Sequence, residues 1–133
     1  MIRKYINPDV IEGKFSESGF IENIVVLGEN QKYAGAIIIP DFAFLKTWCQ
    51  KHEIKYTTPQ EMILNPDVKK RYAEEIKKIN QNFGDTEKIK RYELVADEWS
   101  VTNGFLTPTL KVKRNVVKDV YKGLINKMYK DND

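Results

Sequence analysis

An α+β fold, in which a three-stranded sheet is packed with helices and joined by a small two-stranded ribbon and a C-terminal amphipathic helix, is what the sequence predicts. Three observations carry that expectation. Two runs rich in Ile and Val, Ile21–Leu27 and Tyr33–Ile39, flank the polar Gly28-Glu29-Asn30-Gln31 and read as a β-hairpin with a buried second strand. A capping side chain is followed by proline at Asn7-Pro8, Thr58-Pro59 and Asn65-Pro66, and each pair marks a helix start. Toward the C-terminus, apolar residues recur at intervals of three and four, the mark of a helix with one packing face. With 133 residues, 41% of them hydrophobic and 31% charged, the chain has the size and composition of one compact domain over residues 1–133.

In chain order, Asn7-Pro8-Asp9 caps a short helix that carries Ile11 and Phe15 and ends near Gly19. After the hairpin, Pro40-Asp41 stops the second strand and caps a helix through about His52, with Phe44, Leu45, Trp48 and Cys49 as its apolar positions. Thr58-Pro59-Gln60-Glu61 is a capping box, and Asn65-Pro66-Asp67 restarts a helix striped by Val68, Tyr72, Ile76, Ile79 and Phe83 and stopped by Gly84. Ile89–Ala96 alternates like a strand and adds to the sheet. Asn103-Gly104 lies between Trp99-Ser100-Val101 and Phe105-Leu106-Thr107, which predicts a ribbon turning at Asn-Gly. The last helix places Val112, Val116, Val117, Val120, Tyr121, Leu124, Ile125, Met128 and Tyr129 on one face.

Several function classes drop out on composition. The longest apolar stretch, Ala36–Pro40, is far short of the ~20 residues that span a bilayer, and the N-terminus has no signal-like apolar run. The expected location is cytoplasmic. Cys49 and His52, the single cysteine and histidine, make no zinc or nucleophile–base set, so no metal site is expected. The net charge of +3 is too small to argue for nucleic acid. A local surplus over residues 111–133 suits a phosphate-bearing ligand, but lysines on the wet side of a helix produce the same count.

No carboxylate pair, phosphate-cradling glycine loop or nucleotide fingerprint is present, so the chain shows no complete active site of its own. The segment that stands out is Asn103-Gly104-Phe105-Leu106-Thr107-Pro108-Thr109-Leu110-Lys111-Val112-Lys113-Arg114, where a turn and a proline hold Lys111 just ahead of a helix. On residue type alone, a solvated helix-start lysine is the better account of Lys111.

The run Gly104–Arg114 resembles the C-terminal core motif of long-chain acyl-CoA synthetases, a Leu-Thr-Pro-Thr-Leu-Lys run followed by a basic pair and an amphipathic helix. Phe20–Gly28 resembles the first strand of that family's C-terminal lid domain, Ala36–Ala43 its Ala-Leu-Ile-Val-Pro-Asp-Phe segment, and Lys4-Tyr5-Ile6-Asn7-Pro8 the end of its opening loop. Arg3 departs from the family by standing where that loop has a glycine. The resemblance implies the lid of an AMP-forming fatty acid–CoA ligase whose large N-terminal adenylating domain is absent from these residues. It implies ATP, Mg²⁺ and coenzyme A for the whole enzyme, a fatty acid as substrate, and no cofactor bound to the lid alone. It makes Lys111 the catalytic lysine, puts Lys4, Tyr5 and Asn7 on the coenzyme A path, and leaves Lys113 and Arg114 as phosphate-contact candidates. The whole enzyme would be cytoplasmic or peripheral to a membrane. The alternative is a stand-alone basic binding or protein-interaction module that kept the lid fold without catalysis.

Overall fold

The computed structural model describes residues 7–28 and 33–130. The first helix, α1 (Pro8–Phe15), leads into β1 (Ile21–Leu27) and β2 (Ala34–Pro40), followed by α2 (Phe42–Lys51), α3 (Pro59–Leu64) and α4 (Pro66–Asn80). The strand β3 (Ile89–Leu94) precedes α5 (Arg114–Val120) and α6 (Lys122–Lys130). Every expected cap is made: Asn7, Asp41, Thr58 and Asn65 each accept a backbone N–H of the turn that follows. Among the described residues no helix is long and apolar enough to cross a membrane.

The sheet runs in the order β1-β2-β3, with β1 antiparallel and β3 parallel to β2. The central strand β2 is buried along its whole length, as its unbroken apolar sequence requires. Side-chain alternation then divides the core in two. Ile24, Val26, Ala36 and Ile38 meet Ile11 and Phe15 of α1 and Ile76 and Ile79 of α4 on one face. Val25, Leu27, Ile37 and Ile39 meet Val117, Tyr121 and Met128 on the other. Gly35 lets α6 approach: a Cβ there would come within 2.8 Å of the Tyr129 hydroxyl. A third cluster, Phe20, Leu45, Cys49, Met62, Val68 and Tyr72, fills the space under α2 and α3. On α4 the expected stripe is buried, but Glu75 is buried with it, its carboxylate held by the Ser18 hydroxyl at 2.7 Å and Arg71 at 2.9 Å.

Four expectations are corrected. α1 ends at Phe15, short of Gly19, because a succession of turns over Ser16–Ser18 takes up the carbonyls of its last turn. α4 ends at Asn80, whose side-chain amide both donates to and accepts from the Ile89 backbone and so fastens the start of β3. The C-terminal helix is broken at Tyr121 (φ −100°, ψ 22°), and Val120, expected on the packing face, is 56% exposed. Finally, Phe105-Leu106-Thr107 does not form a ribbon turning at Asn-Gly. Apart from one bond from the Leu106 N–H to the Ser100 carbonyl, it pairs forward, with Leu106 bridging antiparallel to Val112.

Candidate functional site

The reason for that forward pairing lies in the asparagine. The Asn103 amide oxygen accepts the N–H of Ser100 at 2.9 Å and of Phe105 at 3.3 Å, and its nitrogen donates to the Glu98 carbonyl at 2.7 Å. This side chain staples the loop into a knot, with Gly104 at φ +89° supplying the reversal. Phe105 is thereby laid over Trp99, their rings stacked 5.3 Å apart. The Trp99 indole N–H donates to the Tyr121 hydroxyl at 3.0 Å, and that hydroxyl donates to Asp97 at 2.6 Å. The same two bonds anchor the break between α5 and α6 under the loop.

Burial, reinforced by the bond to Asp97, pushes the Tyr121 phenol from its ordinary 10.0 up to about 12. A phenol that holds its proton more tightly when folded contributes stability below pH ~10 that is lost as the pH climbs to about 12. Denaturant titrations from pH 10 to pH 12 should therefore show a shallower loss of unfolding free energy for Tyr121→Phe than for the parent chain.

On this base stands the turn that presents Lys111. The Thr107 N–H donates to the Lys111 carbonyl at 2.8 Å, and Lys113 N–H donates to the Phe105 carbonyl at 2.8 Å. Between them, the Thr107 carbonyl accepts the Leu110 N–H at 2.7 Å and the Thr107 hydroxyl accepts the Lys111 N–H at 3.1 Å. Leu110 adopts φ +67°, a left-handed conformation that costs a leucine about 1–2 kcal/mol. The turn thus fixes the backbone of Lys111 from both sides while its side chain remains exposed.

Lys111 borders a cleft of about 440 Å³ between α1, β1 and the turn, whose other walls carry Asp9, Glu12 and Glu22. Arg114 also faces this cleft, and its guanidinium is engaged within the chain. It pairs in fork geometry with Glu12 at 2.8 and 3.1 Å, donates to the Val26 carbonyl at 2.7 Å and lies 3.5 Å from Asp9. The Val26 N–H completes the arrangement by donating to Glu12 at 2.7 Å. β1 is an edge strand, and this pair satisfies the N–H and carbonyl that Val26 turns away from β2. Arg114 so reaches round the edge of the sheet from the Val117 face to α1 on the opposite face.

The structure therefore brings Lys111, Arg114 and α1 to one cleft. Asn7, exposed, caps α1 by accepting the Asp9 N–H at 3.2 Å. Lys113 is exposed and begins α5, its carbonyl accepting the Val116 and Val117 N–H groups. Arg3, Lys4 and Tyr5 lie outside the described residues. Glu12 was not singled out by sequence reasoning, since an acid on the wet side of a short helix gives no local signal of a partner 102 residues away.

Comparison with known proteins shows the family of the chain. Human long-chain-fatty-acid–CoA ligase 6 is 32% identical over 129 residues, covering 95% of this chain and 18% of the relative. The peroxisomal long chain acyl-CoA synthetase 6 of Arabidopsis thaliana is 28% identical over 131 residues, covering 96% and 19%. The chain thus spans under a fifth of the length of these relatives. Among solved structures, the adenylation domain of carboxylic acid reductase from Segniliparus rugosus, in complex with AMP and a carboxylic acid, superposes with a TM-score of 0.72. That match has 19% identity and covers 95% of this chain and 18% of the reductase chain, a likeness of fold. The sequence pattern of the AMP-binding enzyme C-terminal domain runs over residues 3–133, taking in α1, the sheet and the Lys111 turn alike, and the chain belongs to that family.

Proposed function

We propose that this chain is the lid domain of an ATP-dependent, AMP-forming long-chain fatty acid–CoA ligase, and that Lys111 is its adenylation lysine. The observation that carries the reading is the seating of Lys111: a backbone held on both sides by Thr107 and strained at Leu110, with an exposed ammonium at its end. The curated relatives are named as ligases of long-chain fatty acids to coenzyme A, which supports that substrate class. The partner is an adenylating domain, and the substrates of the whole enzyme are a fatty acid, ATP as its Mg²⁺ complex, and coenzyme A.

In the first half-reaction the carboxylate attacks the α-phosphorus, pyrophosphate leaves and an acyl adenylate forms. The approach brings two anions together and builds charge on the phosphoryl oxygens. A fixed ammonium offsets both, and because its backbone is already ordered little reorganisation is needed as the charge develops. In the second half-reaction the thiol of coenzyme A adds to the acyl carbon and AMP departs. For that step the lid turns, withdraws Lys111 and offers the opening loop that ends at Asn7. Lys113, exposed beside Lys111, is free to meet phosphate, whereas a phosphate reaching Arg114 would compete with Glu12.

On this reading the lid supplies an electrostatic contact, and the nucleotide pocket belongs to the adenylating domain. Purified by itself it should release no pyrophosphate from ATP and a long-chain fatty acid, and calorimetry should detect no micromolar ATP binding. Joined to its adenylating domain it should restore pyrophosphate release that the adenylating domain alone lacks. Turnover by the isolated chain, or no gain on joining, would refute the lid reading.

A further inference from the structure

Two described residues other than glycine have positive φ, Glu53 and Leu110. Glu53 directly follows the C-cap of α2, where chains commonly turn left-handed. Leu110 has no such setting. Its turn is closed by Thr107 through main-chain and hydroxyl bonds, so the leucine side chain contributes nothing to holding it. Glycine or asparagine would adopt φ +67° with less strain.

The side chain gains nothing within the domain either. It belongs to none of the three core clusters and, at 68%, is the most exposed of the large apolar side chains described. A strained backbone therefore presents a bulky apolar group to solvent, immediately beside Lys111 and on the rim of the same cleft. A lysine lowered onto a phosphate carries its neighbour to the same surface.

We propose that Leu110 is a docking contact, buried against an apolar patch of the adenylating domain whenever Lys111 is in place. It makes the adenylating arrangement of the lid more favourable than the turned one. This rests on the lid reading set out above, and the partner is the adenylating domain of the same enzyme. The contact exists in the first half-reaction only, so its loss is felt there only.

The test uses the full-length enzyme with Leu110→Asn, which tolerates the left-handed backbone but is polar, and Leu110→Met, which stays apolar. Partial burial of a leucine corresponds to roughly tenfold in the docking equilibrium. Leu110→Asn should lower the rate of pyrophosphate release about tenfold, leave thioester formation from supplied acyl adenylate unchanged, and abolish the slowing of amide hydrogen exchange at residues 107–111 produced by a non-hydrolysable ATP analogue with fatty acid. Leu110→Met should behave as the parent. Retained exchange protection in Leu110→Asn, an equal loss in Leu110→Met, or a parallel fall in thioester formation overturns the proposal. Lys111→Ala, run alongside, separates the two ideas. If it adenylates normally while Leu110→Asn loses protection, docking stands and the lysine assignment falls; the converse result removes docking alone.

Discussion

If Lys111 is the adenylation lysine of the proposed ligase, Lys111→Ala in the full-length enzyme should lower the rate of adenylation by roughly 10²–10³, the loss expected when one preorganised charge is removed from a transition state. Thioester formation from supplied acyl adenylate should change by less than about twofold, because in the proposed mechanism the lysine is withdrawn when coenzyme A attacks. Pyrophosphate release and product thioester, followed separately, make the comparison. The asymmetry should reverse for a bulky or acidic replacement at Asn7, or at Lys4 beyond the described residues, if the opening loop they belong to meets coenzyme A as proposed. Lys111 has no packing role to confuse the result: its side chain is exposed, and its backbone bonds to Thr107 survive in alanine. An equal fall in both half-reactions with the fold intact would make Lys111 a structural residue.

For Arg114→Ala the expected outcome is a loss of stability. The guanidinium satisfies both oxygens of Glu12 and the Val26 carbonyl, so its removal leaves a carboxylate supported by one backbone N–H and an edge carbonyl without its donor. A fully buried pair broken in this way costs several kcal/mol. Here the two side chains keep 30% and 19% of their exposure, so water recovers part of the loss, and about 2 kcal/mol is expected. The midpoint of urea denaturation should fall with the slope unchanged. Arg114→Lys should recover only a fraction, since a single ammonium cannot reproduce the fork. A midpoint unmoved by Arg114→Ala would mean that the edge of β1 needs no clamp.

Local chemistry was enough to read most of the elements. The caps at Asn7, Asp41, Thr58 and Asn65 are made between residues two or three apart, and the hairpin of β1 and β2 follows from two adjacent apolar runs. That Lys111 stands just ahead of a helix was legible for the same reason, whereas the turn that Thr107 closes around it, with Leu106 pairing to Val112, was not expected. Other features depend on partners that no local pattern reveals. Asn103-Gly104 could have closed a ribbon, but the Asn103 amide found backbone partners at Glu98, Ser100 and Phe105, and the strand beyond it paired forward with Val112. The unbroken stripe of the last helix gave no sign of the break at Tyr121, which depends on Trp99 and Asp97 reaching its hydroxyl. Arg114 and Glu12, 102 residues apart, read as ordinary surface charges until the edge of β1 lies between them. Short-range hydrogen bonds and apolar spacing are written in neighbouring residues, whereas satisfying a buried phenol or an open strand edge depends on which distant groups the folded chain brings within 3 Å.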